Sequence, residues 1–279
     1  MPSLTEQAKA FLNQLNASAR KKLGQNFMVR EEELGFIADA LAIEEGETVL
    51  EIGPGLGFLT RLLLNKKAQV LAVEKDALYA VFLLKHFAGR PLRLAEKDVL
   101  KLDLEKDFGV DAPIKVAGNI PYNITTPILE WLINNRRLII TVVLTVQWEL
   151  ARRLAAEPGG KDWGSLSVFL RLYADVRLLK KISRESFFPS PQVDSAVLRL
   201  DFLKAPRFEL KDERLFFALV RRSFQKRRKT LLNALTDEAT EQFSKPSLGL
   251  TLKSAGLDTR RRPETLSLEE WARLSSFFK

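Results

Sequence analysis

The sequence predicts a doubly wound, mainly parallel α/β sheet followed by a small all-helical domain. Three observations carry this. Short apolar runs alternate with longer amphipathic ones between residues 47 and 147, a glycine-rich turn joins the first run to the second, and strand signals stop after residue 204. Strands that alternate with helices lie parallel, because each helix returns the chain to the same end of the sheet.

The elements follow in order. ETVLEI (47–52) reads as a buried strand and FLTRLLLNK (58–66) as a helix. QVLAVE (69–74) is the second strand, followed by a helix through ALYAVFLLKHF (77–87). LRLAEKD (92–98) and PIKVAGN (113–119) are strands three and four. TTPILEWLINN (125–135) opens a helix with Pro127 in its first turn, where a missing N–H costs little. LIITVVLTVQ (138–147) is a β-branched strand. Two further apolar stretches, 166–179 and 193–202, flank the Pro-rich turn FFPSPQ (187–192) and read as an antiparallel pair finishing the sheet. Helical runs follow at 212–224, 226–236 and 268–278. The expected domains are 1–204 and 205–279.

A length of 279 residues suits one large or two modest domains, and 46% hydrophobic with 28% charged residues is a globular balance. Lys and Arg number 44 against 35 Asp and Glu, a net charge of +9. That excess favours a polyanionic partner, nucleic acid before a membrane surface. Residues 194–279 hold 18 of the cations against 12 acids. Cysteine is absent, which excludes disulfides, thiolate metal sites and Cys nucleophiles; a single His excludes a His-rich metal site. No metal is expected. Chemistry is left to Asn, Asp, Glu, Tyr, Ser, the backbone or a bound cofactor. No apolar run approaches the ~18–20 residues of a membrane span. Residues 1–20 have neither the apolar core of a signal peptide nor an Arg-rich, acid-poor character, so a cytoplasmic protein is expected.

Glu51-Ile52-Gly53-Pro54-Gly55-Leu56-Gly57 lies between the first strand and its helix. Glycines there let the backbone turn sharply and approach a ligand beside a helix N-terminus. The spacing is G-x-G-x-G, not the dinucleotide G-x-G-x-x-G. Glu74 ends the next strand, where a carboxylate accepts from both ribose hydroxyls of an adenosine. Asp98 ends strand three, within reach of an adenine amino group. Alone, the loop is equally a tight strand-to-helix turn. With the two acids it points to a nucleoside cofactor, nicotinamide or S-adenosylmethionine.

Asn119-Ile120-Pro121-Tyr122 follows strand four on the same sheet edge. The exocyclic amine of adenine is a poor nucleophile because its lone pair is delocalised into the ring. An Asn side-chain oxygen and a backbone carbonyl together accept its two N–H bonds and help turn the lone pair toward an electrophilic methyl group. Pro121 fixes the turn so that the Ile120 carbonyl points inward, and Tyr122 offers a flat face for an extruded base. Such a transfer needs orientation more than a strong base. By itself, the tetrapeptide is also an ordinary Asn-X-Pro turn.

At this point the chain resembles the small-subunit (16S) rRNA adenine N6,N6-dimethyltransferases of the KsgA type. The matching motifs are KKLGQNFM (21–28), EIGPGLG (51–57), NIPY (119–122), PGGKDWGSLSV (158–168), FxPxPxVxS (187–195) and FxxxRKTL (224–231). The resemblance implies a Rossmann-like methyltransferase sheet with S-adenosylmethionine surrounded by Asn26, Met28, Gly53, Glu74, Asp98 and Asn119. It implies that Asn119 and Tyr122 hold the target adenine and that Phe187 closes the other face of the base, a residue that reads otherwise as a core aromatic. The family usually has Leu where Met28 and Ile120 stand and Tyr where Trp163 stands. The implied reaction is methylation of two adjacent adenosines near the 3′ end of small-subunit rRNA to N6,N6-dimethyladenosine. The implied partner is the pre-30S particle, met by a monomer with no membrane.

Residues 221–229 hold six cations in nine: Arg221, Arg222, Lys226, Arg227, Arg228 and Lys229. Such a face neutralises phosphates without choosing sequence, and is otherwise a solvated helix face. Arg260, Arg261 and Arg262 form a second cluster, and Lys21 and Lys22 are further candidates. His86, on an apolar helix, reads as structural. Two alternatives share many of these features. One is a large-subunit rRNA adenine methyltransferase of the antibiotic-resistance type, disfavoured by the long basic C-terminal region. The other is a non-catalytic ribosome assembly factor, disfavoured by the intact Gly53, Glu74, Asn119 and Tyr122.

Overall fold

The computed structural model describes residues 2–16, 25–237 and 241–278. The chain starts with α1 (Leu4–Gln14), opened by a capping box in which Ser3 and Glu6 satisfy each other's amides. Then come β1 (Phe27–Met28) and α2 (Glu31–Ala40). The alternating series runs β2 (Thr48–Ile52), α3 (Phe58–Asn65), β3 (Gln69–Glu74), α4 (Ala77–His86), β4 (Leu92–Glu96), α5 (Leu104–Phe108), β5 (Ile114–Asn119), α6 (Thr125–Asn134) and β6 (Ile139–Gln147). After it come α7 (Trp148–Leu154), α8 (Ser165–Tyr173), β7 (Ala174–Ile182), β8 (Phe187–Phe188) and β9 (Ser195–Phe202). The chain ends in α9 (Glu213–Gln225), α10 (Leu231–Leu235), α11 (Lys245–Ser254) and α12 (Leu268–Ser275).

The main sheet has seven strands in the order β4-β3-β2-β5-β6-β9-β7. The pairs β3–β4, β2–β3, β2–β5 and β5–β6 are parallel, and β9 runs antiparallel to β6. The chain builds outward from β2 to β4, then crosses back to place β5 on the other side of β2. That reversal leaves an opening above the carboxyl ends of β2 and β5, where open α/β sheets bind ligands. Inner strands are apolar on both faces because helices cover both: Val49, Leu50 and Ile52 of β2 are all buried. β1 and β8 form a separate two-stranded ribbon, with Met28 opposite Phe187.

Two expectations are corrected. The run 226–236, expected to be helical, is helical only over α10, with Lys226–Lys229 forming a turn after α9. The stretch 166–179 was expected as a strand, but it is helical as far as Tyr173 and extended only from Ala174. A short apolar run fits a strand and a buried helix equally. The local hydrogen bonds decide for the helix. The Ser167 hydroxyl accepts from the Gly164 amide at the helix start and donates to the Arg153 carbonyl. Val168, Phe169, Leu170, Leu172 and Tyr173 are all buried, with only Ser165, Ser167 and Arg171 polar in the helix. α1, α2, α5, α7 and α11 and the short strands β1 and β8 lie outside the elements expected from the sequence.

The chain divides into two compact units, Met1–Ala151 with Arg177–Phe202, and Arg152–Val176 with Leu203–Lys279. The second unit is therefore discontinuous, taking in 152–176 as well as the expected C-terminal helices. In the first unit one apolar cluster joins α1, α2, α3, α4 and the underside of the sheet. His86, exposed at the end of α4, makes ring contacts with Phe11, Phe82 and Phe87 at the edge of that cluster. In the second unit α9 packs on α8, α10 and α12. Trp163 is fully buried and donates its indole N–H to the Leu266 carbonyl at 3.2 Å, so the bulk at this position is met inside that unit's core.

Candidate active site

The turn after β2 has positive φ at Gly53, Gly55 and Gly57. Two of these glycines are required for different reasons. A Cβ on Gly57 would lie 2.6 Å from the Phe87 ring and 2.8 Å from Leu83, so packing of α3 against α4 forbids one. A Cβ on Gly53 would meet nothing within 4 Å: it would stand in the open mouth of a cleft. That cleft encloses about 1170 Å³ of empty space, mouth included. Asn26, Met28, Gly53, Glu74, Asp98 and Asn119, expected from the sequence to share one ligand, all line it.

Two buried carboxylates stand in its wall. Glu74, at the end of β3, accepts from the Gly55 amide (3.2 Å) through one oxygen and from the Asp76 amide (2.9 Å) through the other. Burial raises its pKa, against the pull of these amides. Glu51, on β2, accepts from the Thr60 hydroxyl at 2.6 Å, and burial pushes its carboxyl up to about 8, with Glu74 adding repulsion. The sequence reading passed over Glu51, although it stands first in the glycine motif, because an acid inside an apolar strand gives no sign of its partner. Asp98 behaves differently. Lys75 donates to it at 2.8 Å and the Leu100 amide at 3.1 Å, and Lys75 holds its pKa below the usual range. Lys75, which also lines the cleft, went unnoticed in the sequence.

Asn119 ends β5, and its Nδ2 donates to the Asn26 carbonyl at 2.8 Å. A carbonyl accepts only from the NH₂ side, so this bond fixes which way the amide points. Its Oδ1 is left as an acceptor with no hydrogen bond among the described residues. Tyr122 opens a 3-10 turn, Tyr122–Ile124, beside the cleft residues Pro121 and Asn123. Its hydroxyl lies 2.5 Å from Ser195 Oγ, and burial raises its pKa. Ser195 closes the FxPxPxVxS motif, so two motifs distant in sequence meet in one hydrogen bond. Phe187, from the same motif, pairs with Met28 but is 4% exposed within the apolar core and does not line the cleft.

The cationic run of 221–229 is not one uniform face. Arg222 donates to the Thr236 carbonyl at 3.0 Å, pairs with Asp237 at 3.0 Å and lies over Phe243. Arg227 donates to the Lys161 carbonyl, and Arg221 lies over Phe169. Lys226, Arg228 and Lys229 are exposed and form no ion pair among the described residues. Of the second cluster, Arg260 pairs with Asp258 and Arg261 with Glu270. Lys21 and Lys22 lie outside the described residues.

The sequence profile of the ribosomal RNA adenine dimethylase family matches residues 16–278. The chain belongs to this family. Similar adenine dimethylase relatives include the ribosomal RNA small subunit methyltransferase A of Moorella thermoacetica, 42% identical over 265 residues, covering 92% of this chain and 91% of that one. The protein of the same description from Clostridium botulinum (strain Kyoto / Type A2) is 38% identical over 270 residues, 96% of each. Among solved structures, a dimethyladenosine transferase from Plasmodium falciparum matches with a TM-score of 0.76 at 25% identity, over 89% of this chain and 95% of that one. The 23S rRNA methyltransferase ErmE matches with a TM-score of 0.69 at 26% identity, over 90% and 99%. The fold of this adenine dimethylase family member is thus the Rossmann-like methyltransferase sheet expected from its sequence, with a helical C-terminal part.

Proposed function

We propose that the chain transfers methyl groups from S-adenosylmethionine to N6 of two adjacent adenosines near the 3′ end of small-subunit rRNA, during maturation of the small subunit in the cytoplasm. The single observation that carries this is the locked amide of Asn119, whose free Oδ1 stands in the same cleft as Gly53 and Glu74.

The cleft residues fit a nucleoside with a cationic side chain. Gly53 presents bare backbone to open space, Glu74 is a buried acceptor at the strand end where ribose hydroxyls are expected, and Glu51 is a second buried acid whose ionised form a cation would favour. Bound there, S-adenosylmethionine supplies a sulfonium methyl. The chain's own groups do the rest. Asn119 Oδ1 accepts one N6–H of the target and the Ile120 carbonyl the other, which holds the amine and directs its lone pair. Tyr122, anchored at Ser195, gives the base a fixed stacking face. Phe187 would reach the other face of the base only if the β1–β8 ribbon shifted, since it is buried here. Exposed Lys226, Arg228 and Lys229 supply phosphate contacts from the helical unit, with the protein acting as a monomer on the pre-30S particle.

A large-subunit target remains the second reading because ErmE shares the fold. The small-subunit reading is preferred because relatives at 36–42% identity carry the small-subunit description. Mass-spectrometric mapping of rRNA, after incubation of unmethylated small subunits with enzyme and S-adenosylmethionine, tests both. Dimethyladenosine at adjacent positions of small-subunit rRNA is expected. Modification of large-subunit rRNA alone would overturn the reading.

A further inference from the structure

A second groove opens next to the Tyr122–Ser195 bond, in the same compact unit. It is lined by Gln147, Trp148, Glu149, Arg184 and the motif residues Gln192, Val193 and Asp194. We propose that this groove binds the base of the nucleotide adjoining the target adenosine, an inference that rests on the function proposed above. The connection is short. Tyr122 holds Ser195, Ser195 stands opposite Gln147 in the β6–β9 register, and the Trp148 amide donates to the Asp194 carbonyl at 3.0 Å. An RNA strand with one base held against Tyr122 therefore passes this groove with its neighbour.

The groove's chemistry suits a base and not a phosphate. Its charges are balanced: Lys181 pairs with Asp194 at 2.7 Å, and the lining carries one further cation, Arg184, and one further acid, Glu149. A balanced groove has no net attraction for a phosphodiester, whereas a base needs a flat apolar surface and edge-reading donors and acceptors. Trp148 supplies the flat surface, held from one side by Lys181 with its Nζ 5.4 Å from the ring centroid. Gln147 and Gln192 supply amides able to pair with a base edge. The Arg184 guanidinium is exposed, has no ion pair among the described residues, and makes a single 3.4 Å contact with the Gln192 carbonyl. Val193, 46% exposed, is a large apolar residue that the fold itself does not cover. A merely structural Trp148, packed by Lys181, would account for none of the last three features.

The test uses the wild type, Trp148→Ala and Trp148→Phe with unmethylated small subunits. Methyl transfer gives KM and kcat, and equilibrium titration gives subunit affinity separately. Loss of one stacked base corresponds to about ten-fold in affinity. Trp148→Ala is expected to raise KM and weaken subunit binding about ten-fold, with S-adenosylmethionine affinity unchanged and Trp148→Phe restoring most of the loss. Small subunits reassembled with an abasic nucleotide on either side of the target should bind the wild type about ten-fold more weakly at one of the two positions. Trp148→Ala should lose nothing further there. Unchanged subunit affinity in Trp148→Ala would overturn the proposal, as would an equal additional loss at the abasic position in wild type and variant. If Trp148→Ala fails to fold, Trp148→Leu, which keeps apolar bulk without the ring, takes its place under the same criteria. A wild type that binds subunits but transfers no methyl group would instead refute the proposed function, while the affinities still judge the groove.

Discussion

Glu51→Gln should make the ligand-free protein less sensitive to pH. Glu51 is 2% exposed, and its carboxyl is raised from near 4.5 to about 8 by burial. A carboxyl raised on folding binds more protons in the native state than in the unfolded one. Its contribution is therefore full below about pH 4.5 and is lost as pH rises toward 8. Between pH 5.5 and 7.5 the slope is about 1.4 kcal/mol per pH unit, so this group alone removes about 3 kcal/mol of stability over that interval. Glutamine keeps an acceptor for the Thr60 hydroxyl and carries no charge, so it abolishes the slope without emptying the site. Urea unfolding of wild type and Glu51→Gln at pH 5.5, 6.5 and 7.5 measures the difference. The variant should already be the more stable by about 1.4 kcal/mol at pH 5.5, and its lead should widen by about 3 kcal/mol by pH 7.5, the two converging only near pH 4.5. Parallel stability curves would show that Glu51 is ionised in the free protein and that the cleft is wetter than its burial implies.

Asn119→Ala should lower methyl transfer by about 100-fold or more with the fold intact, measured by single-turnover kinetics, since it removes the one acceptor fixed in the cleft. Glu74→Ala should weaken S-adenosylmethionine binding ten-fold or more by calorimetry while leaving RNA affinity alone, with Glu74→Gln, which keeps one acceptor for the Gly55 or Asp76 amide, intermediate. Alanine at both Arg228 and Lys229 should flatten the log–log salt dependence of subunit binding by about 1–2 units. Arg222→Ala should instead leave that slope alone and cost about 1–3 kcal/mol of stability in thermal unfolding, because its partners are inside the unit.

The sheet was legible because its strands are short and separated by turn chemistry that leaves little choice. Eight of the nine elements from Thr48 to Gln147 end within two residues of the boundaries read from the sequence, and the ninth, α5, was not read there. Where the pattern failed, the cause was a short apolar run that fits a strand and a helix equally. α8 is only nine residues long and runs straight into β7, so its short apolar stretch merged with the strand after it and read as one strand. Distance along the chain hid the division into units: 152–176 joins the C-terminal helices through contacts such as Trp163 to Leu266, more than a hundred residues apart, and no local pattern encodes such a pair.

The site was legible to a different depth at each residue, and the difference follows the kind of signal each one gives. Gly53, Glu74, Asp98 and Asn119 sit at strand ends, so topology alone brings them to one cleft once the strands are correctly ordered. Glu51 and Ser195 act through a partner, Thr60 in one case and Tyr122 in the other, and a hydrogen bond across 9 or 73 positions leaves no trace in a single sequence. The cationic run gives the opposite kind of signal. Six positive side chains look equivalent as letters, yet Arg222 is tied to Asp237 and a carbonyl while Arg228 and Lys229 face solvent. Charge density is a property of sequence, but availability for phosphate depends on which carboxylates and carbonyls the fold has already brought to each cation. The cations of the run that are exposed and form no ion pair among the described residues, Lys226, Arg228 and Lys229, lie toward its C-terminal end.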